Sequence, residues 1–247
     1  MPQNSIHLSA AHQRENGSPV YTYVIGDIHG RFDLLQLAIA AIVTDESRNE
    51  KRIITLGDYI DRGPDSAKVV DLLAHWDHPK ISLKCLMGNH EEMLVLVLNG
   101  LLPLSEWRAN GADATLGSYG ISADGAAAGG LDLPDAHAAW LSQLPSILVD
   151  SHRIYVHAGA DPNIPIEDQG ADVFLWMRYA PGHNGGHGSR HVVHGHTPFF
   201  DGPMLYSGRT NLDVGAFASG RLVVAVFDDS LAGGPIKILE VQSSAEM

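Results

Sequence analysis

Three apolar runs of this chain end alike: "VIGD" at Asp27, "TLGD" at Asp58 and "LMGN" at Asn89, each 31 positions after the last. Histidines accompany them. His29 follows Asp27 by two residues, His90 adjoins Asn89, His157 ends "IYVH", and "VVHGHTP" carries His194 and His196. A lone Gly-Asp pair has a plain explanation, because an aspartate there opens a turn or caps the next helix. Three in step, with imidazoles attached, exceed what capping requires. Oxygen and nitrogen donors without thiolates suit manganese, iron or zinc rather than a cysteine-bound structural zinc. The set is larger than one ion with an open position needs, and it fits two ions about 3.5–4 Å apart sharing one carboxylate. "GDYIDRG" (57–63) adds Asp61 and Arg62, so one glycine-bounded turn holds three charges.

The elements that must position these groups are legible from periodicity. "VYTYVIG", "RIITLG" and "ISLKCLMG" read as buried strands, and helices of period 3.6 separate them at 33–43 and 66–76, with another at 91–100. This β-α-β-α-β-α start predicts parallel strands with right-handed crossovers. Asp27, Asp58 and Asn89 then share the carboxyl edge of one sheet, where open α/β sheets place their ligands. Residues 1–19 are polar and aperiodic, a flexible tail before a single domain over 20–247. Gly- and Ala-rich residues 101–145 read as a cap-like insertion in that domain. From 146 the chain is β-rich, with "SHR" suited to a hairpin turn and "PGHNGGHGSRH" to a loop.

Composition narrows the classes. With 247 residues, 45% hydrophobic and 18% charged, the chain suits one large soluble core. A formal net charge of −13 with scattered basic residues argues against nucleic-acid binding. The single cysteine, Cys85, cannot form an internal disulfide. Without a signal-like start or an apolar membrane-length run, the expected address is the cytoplasm, with no membrane partner.

The motifs "GDIHG", "GDYIDRG", "GNHE", "HAG" and "HGHTP", in this order and at these spacings, resemble the phosphoprotein phosphatase branch of the metallophosphoesterases over about residues 24–227. The resemblance implies a four-layer α/β/β/α sandwich, calcineurin-like, with a binuclear metal centre at the strand ends. It implies two divalent ions, manganese first, with iron or zinc as alternatives. By motif, Asp27 and His29 bind one ion, Asp58 bridges, and Asn89, His157 and His196 bind the other. A metal-bridging hydroxide then attacks phosphorus, His90 protonates the leaving alkoxide, Asp61 orients His90, and Arg62 grips the phosphate. The substrate is a phosphorylated protein or a small phosphoester. The sequence departs from the eukaryotic members, with Met87 before "GNHE" where they carry arginine, and "HAGADP" where they carry "HGGLSP". "FLWMR" (174–178) is closer to bacterial and phage members, whose arginine contacts phosphate, so Arg178 joins the site. Only 51 residues follow His196, so regulatory-subunit binding is not expected.

The resemblance therefore points to a bacterial serine/threonine protein phosphatase. The alternative is a dinucleoside polyphosphate hydrolase, in whose symmetrical diadenosine tetraphosphatases the counterpart of Asp61 is commonly missing. A nucleotide-binding module is disfavoured, since no G-x-x-x-x-G-K-[ST] occurs. Other polar residues have bland readings beside functional ones. Asp213 is expected to support a ligand histidine, and His194 stands second to His196 as a ligand. His183, His187 and His191 read as a surface loop, Arg31 as a solvated helix-start residue or a substrate contact, and Trp76, Trp107 and Trp140 as packing.

Overall fold

A computed structural model of the chain describes residues 7–8, 20–46, 50–122, 125–126 and 131–243. Two sheets lie face to face. In the first, β2 (Val20–Ile25), β3 (Glu50–Thr55) and β4 (Ile81–Cys85) run parallel, as the βα repeat predicts. β10 (Arg221–Asp228) pairs antiparallel with β2, and β11 (Lys237–Gln242) flanks β10. The second sheet has the order β1 (His7–Leu8), β5 (Ile147–Val149), β6 (Arg153–Val156), β7 (His191–His194), β9 (Arg209–Asn211), β8 (Met204–Leu205). The predicted hairpin at "SHR" joins β5 to β6, closed by Asp150 N–H donating to the Arg153 carbonyl at 3.0 Å. Apart from His7–Leu8, the 1–19 segment read as a tail lies outside the described residues.

Period-two alternation builds the layers. Tyr23, Ile25, Ile53, Val224 and Val226 face outward onto helices, while Val24, Ile54, Val223, Ala225 and Phe227 face the second sheet. From that sheet, Leu148, Tyr155 and Val193 meet them. Ile154, Val156 and Val192 point the other way, onto Phe174 of a short helix, Ala171–Trp176. Each fully buried aliphatic side chain in these seams contributes about 1.5–3 kcal/mol. The result is helix, sheet, sheet, helix.

The helices outside the first sheet are α1 (Phe32–Thr44), α2 (Ser66–Ala74) and α3 (Asn89–Leu98), joined by α4 (Leu104–Arg108), α5 (Ala112–Ser118) and α6 (Asp135–Ser142) of the 101–145 segment. Trp107, Ala112, Leu116 and Leu141 of that segment are buried in the same cluster as Tyr23 and Leu34. α3 begins two residues earlier than its apolar period predicts. Glu91 reaches back to accept the Gly88 N–H at 2.9 Å, which draws Asn89 and His90 into the first turn. Among the described residues no helix is long and apolar enough to cross a membrane.

Candidate active site

Ile25, Thr55 and Cys85 stand side by side in the ladder, 30 residues apart, whereas Asp27, Asp58 and Asn89 are 31 apart. Each successive strand therefore leaves the sheet with one more residue before its ligand candidate. The exits are tight. Gly57 has φ +100°, and a Cβ there would strike the Gly88 backbone. A Cβ on Gly195 would strike the Asp27 carboxylate. Among the described residues, the non-glycine residues with positive φ are His29 (46°), Asp58 (52°), Asp61 (71°), Arg62 (69°) and His196 (66°). All five were singled out by the motifs. Side chains rarely adopt this region without being forced there, and such residues concentrate at functional sites.

The eight motif residues Asp27, His29, Asp58, Asp61, Asn89, His90, His157 and His196 converge, all buried except the half-buried His196. Asp58 is central. Its Oδ2 lies 3.3 Å from His29 Nε2 and its Oδ1 3.3 Å from His157 Nε2, so its two oxygens face two different imidazoles. Asn89 Oδ1 is 2.9 Å from His157 Nε2 and 3.0 Å from His196 Nδ1. Backbone carbonyls fix the rings: His29 Nδ1–H donates to Ile60 at 2.8 Å and His157 Nδ1–H to Leu56 at 3.0 Å. Each Nε2 is left to face inward.

The donor set asks for a divalent cation. His157 Nε2 is crowded against the oxygens of Asn89 and Asp58, and burial lowers the pKa of the ring. Burial also holds His196 down, to about 3. Asp27 Oδ2 accepts the His196 N–H at 2.9 Å, while its Oδ1 is buried without a hydrogen-bond partner. Burial first, then the charges of Asp213 and Asp58, pushes the Asp27 carboxyl well above its ordinary range. Burial acts on Asp58 in the same sense, but His157, His90 and His29 outweigh it and hold that carboxyl well below its ordinary range. Lone pairs facing lone pairs and an orphaned carboxylate oxygen are what bound cations relieve, so the residues fit divalent metal.

Beside this cluster stands a buried imidazole–carboxylate pair. His90 Nδ1 is 2.6 Å from Asp61 Oδ2, with both groups buried. Trp107 Nε1–H donates to the same oxygen at 2.7 Å, and the Thr115 hydroxyl donates to Oδ1 at 2.6 Å. Asp61 N–H returns a bond to Thr115 Oγ1 at 2.8 Å. Arg62 spans the gap: its Nη1 is 2.9 Å from His29 Nε2, its Nη2 3.0 Å from His90 Nε2, and its guanidinium lies 4.9 Å above the Phe217 ring. Arg178 is exposed, and its charge is one of the influences that depress His196.

Several residues lie elsewhere than the cluster. His194 turns away to accept from Arg209 at 2.9 Å. Arg31 pairs with Asp33 and the Ala216 carbonyl. Asp213 Oδ1 accepts the Gly215 N–H at 2.8 Å, and its charge bears on Asp27 and His29. His183, His187 and His191 go to separate partners, namely the Gly185 carbonyl, the Ile164 carbonyl and Thr210 Oγ1. His191 opens β7 and is buried, so the surface loop is shorter than the Gly/His run suggests.

Sequence reasoning missed four contributors. Trp107 and Thr115 hold Asp61, Phe217 underlies Arg62, and Glu91 accepts from Asp58 N at 2.8 Å, Tyr59 N at 2.8 Å and Ile60 N at 3.2 Å. Only Glu91 left a signal, as the acidic residue three after Gly88 where a capping box places one.

A family model described as calcineurin-like phosphoesterase matches residues 21–226. The symmetrical bis(5'-nucleosyl)-tetraphosphatase of Coxiella burnetii (strain Dugway 5J108-111) is 29% identical over 154 residues, which cover 61% of this chain and 45% of that protein. The chain thus matches less than half the length of that relative. Serine/threonine-protein phosphatase 1 of Salmonella typhimurium is 28% identical over 221 residues, covering 83% of this chain and 91% of that protein. A solved chain provisionally named a diadenosine tetraphosphatase shares the fold, with TM-score 0.62 at 23% identity over 92% of this chain and 99% of its own.

Proposed function

The chain belongs to the calcineurin-like phosphoesterases, and from that membership we propose that it is a two-metal phosphomonoesterase acting on phosphoserine and phosphothreonine in proteins, with phosphotyrosine as a further substrate. The observation that carries this reading is the buried His90–Asp61 contact at 2.6 Å. A serine or threonine alkoxide is a strongly basic leaving group and gains most from a proton delivered as its bond to phosphorus breaks. A nucleotide phosphate departs as a stable anion and needs far less help. An aspartate held on both oxygens so that it can aim one imidazole answers the harder case.

In this reading Asp27, His29 and Asp58 would hold one ion, and Asp58, Asn89, His157 and His196 would hold the other. Manganese is the first choice, with iron or zinc the alternatives. When bound, the ions supply Lewis-acid charge at the phosphoryl group and lower the pKa of an attacking water. Asp61 keeps the His90 Nδ1 proton in place and stabilises the imidazolium, whose Nε2 proton passes to the departing oxygen. Arg62, whose fork already spans the two Nε2 atoms of His29 and His90, holds phosphoryl oxygens as a bidentate donor. Arg178 approaches from the rim beside His196 and adds a second guanidinium.

One observation favours the dinucleoside polyphosphate reading. Trp176 is 42% exposed and its indole lies 6.4 Å from the His196 ring, a surface on which a base can stack. The deciding experiment compares kcat/KM for phosphoserine, phosphothreonine and phosphotyrosine peptides with that for diadenosine tetraphosphate, on protein of measured metal content. Peptide preference is expected. Preference for the dinucleotide, unchanged by His90→Asn, would replace the phosphatase reading with the hydrolase one.

A further inference from the structure

We propose that Asp71, His75 and His137 form a separate zinc site on the outer helical layer, sharing no residue with the strand-end cluster. Asp71 and His75 are one turn apart, His75 being the residue that caps α2, and His137 comes from α6. Asp71 Oδ1 lies 3.2 Å from His75 Nδ1 and 3.3 Å from His137 Nε2, and the three ligand atoms are all within 4.8 Å of one another. Donors about 2.0–2.1 Å from a tetrahedral zinc stand roughly 3.3–3.4 Å from each other. Both edges at Asp71 therefore have nearly the zinc spacing. They are long for charge-assisted hydrogen bonds, which run at about 2.7–2.9 Å.

The surroundings meet the other requirements of a site. His137 Nδ1 is 2.9 Å from the Tyr119 hydroxyl, so Nδ1–H can donate there and leave the Nε2 lone pair aimed at Asp71. The His137 ring is buried and edge-on to Tyr119, which fixes its direction. His75 Nδ1 also lies 3.0 Å from the Asp71 carbonyl, but that carbonyl already accepts the His75 backbone N–H at 3.1 Å and loses nothing essential when Nδ1 turns to a metal. Asp71 and His75 are 65% and 60% exposed, which gives an entry path and room for water to complete the coordination. Two imidazoles and one carboxylate suit zinc better than manganese or magnesium, which prefer oxygen-rich shells. The ion would tie α2, which follows the Asp61–Arg62 turn, to the last helix of the segment that carries Trp107 and Thr115.

The test compares the full wild-type chain with Asp71→Asn/His75→Ala, two changes at exposed positions, with folding checked by circular dichroism. Both are stripped with chelator, saturated with manganese, and titrated with zinc and then with cobalt. The wild type should take up one more equivalent than the double variant, show a rise in unfolding temperature on zinc addition that the variant lacks, and display the intense visible band of four-coordinate cobalt. Equal stoichiometry, or an equal thermal shift in the two proteins, would overturn the site. His137→Gln should behave like the double variant, and if it fails to fold the exposed pair alone decides.

Discussion

The strand-end loops and the 101–145 segment meet at the same carboxylate, Asp61, and reach it by different routes. The loops bring Asp61 there through backbone geometry. Tight glycine exits and left-handed residues leave the side chains little choice of direction. The segment is held by ordinary hydrophobic packing of α4 and α5, and from there it presents two donors, Trp107 and Thr115, to the carboxylate. In the proposed reading the loops supply the groups that hold metal and move a proton, while the segment supplies orientation to one of them. Chemistry is concentrated where the backbone is forced, and its fine adjustment where the backbone is relaxed.

The comparison can be broken most severely at Asp58. Asp58→Asn should lower the occupancy of both ions and bring activity to background, because both oxygens of the carboxylate face ligand candidates. Metal analysis with full retention of both ions would remove Asp58 from the bridging role proposed for it. Next comes His90→Asn, expected to keep its metal while kcat on a phosphoserine peptide falls by ~10²–10⁴, the range for general acid catalysis. Nitrophenyl phosphate, with its better leaving group, should lose much less, and equal losses on both substrates would contradict the assignment.

Trp107→Phe then sharpens the contrast. Alanine would cost about 3–5 kcal/mol of packing, whereas phenylalanine keeps most of the ring and deletes the donor to Asp61. A hydrogen bond to a charged group is worth about 1.5–3 kcal/mol, so roughly a tenfold loss of kcat is expected on the peptide, with KM steady and nitrophenyl phosphate nearly unaffected. A uniform loss on both substrates would reduce the segment to mechanical support.

The smallest effect tests a region remote from the cluster. Burial first, then the Arg153 charge, brings His191 down to about 4. The fold refuses a proton there that the unfolded chain accepts below its ordinary pKa of about 6.5. Stability from this residue is therefore present above that value and fades as pH falls toward 4. Thermal melts across this window should slope less for His191→Gln than for wild type, and parallel curves would show that His191 titrates normally.

How much of this was legible in the sequence follows the same division. Asp27, Asp58 and Asn89 announce themselves because successive parallel strands repeat one local event at the same edge. The layers were legible because period-two and period-3.6 patterns report which face is covered. Trp107 and Thr115 gave no sign, since their partner Asp61 lies 46 and 54 residues away and nothing local to a buried Trp says where its N–H points. Phe217 was silent for the same reason. His194, ranked behind His196, is a strand-end histidine near the site whose ring is held by the buried Arg209.

The five left-handed residues have a consequence for anyone wishing to make this protein hardier. Each sits where an L side chain costs about 1–2 kcal/mol, against the roughly 5–15 kcal/mol that holds a whole domain together. Ranked by backbone preference alone, His29, Asp58, Asp61, Arg62 and His196 are the first candidates for replacement by glycine. In the reading proposed above these same residues hold metal, proton and phosphate, so a redesign ranked on backbone strain alone would trade the site away first.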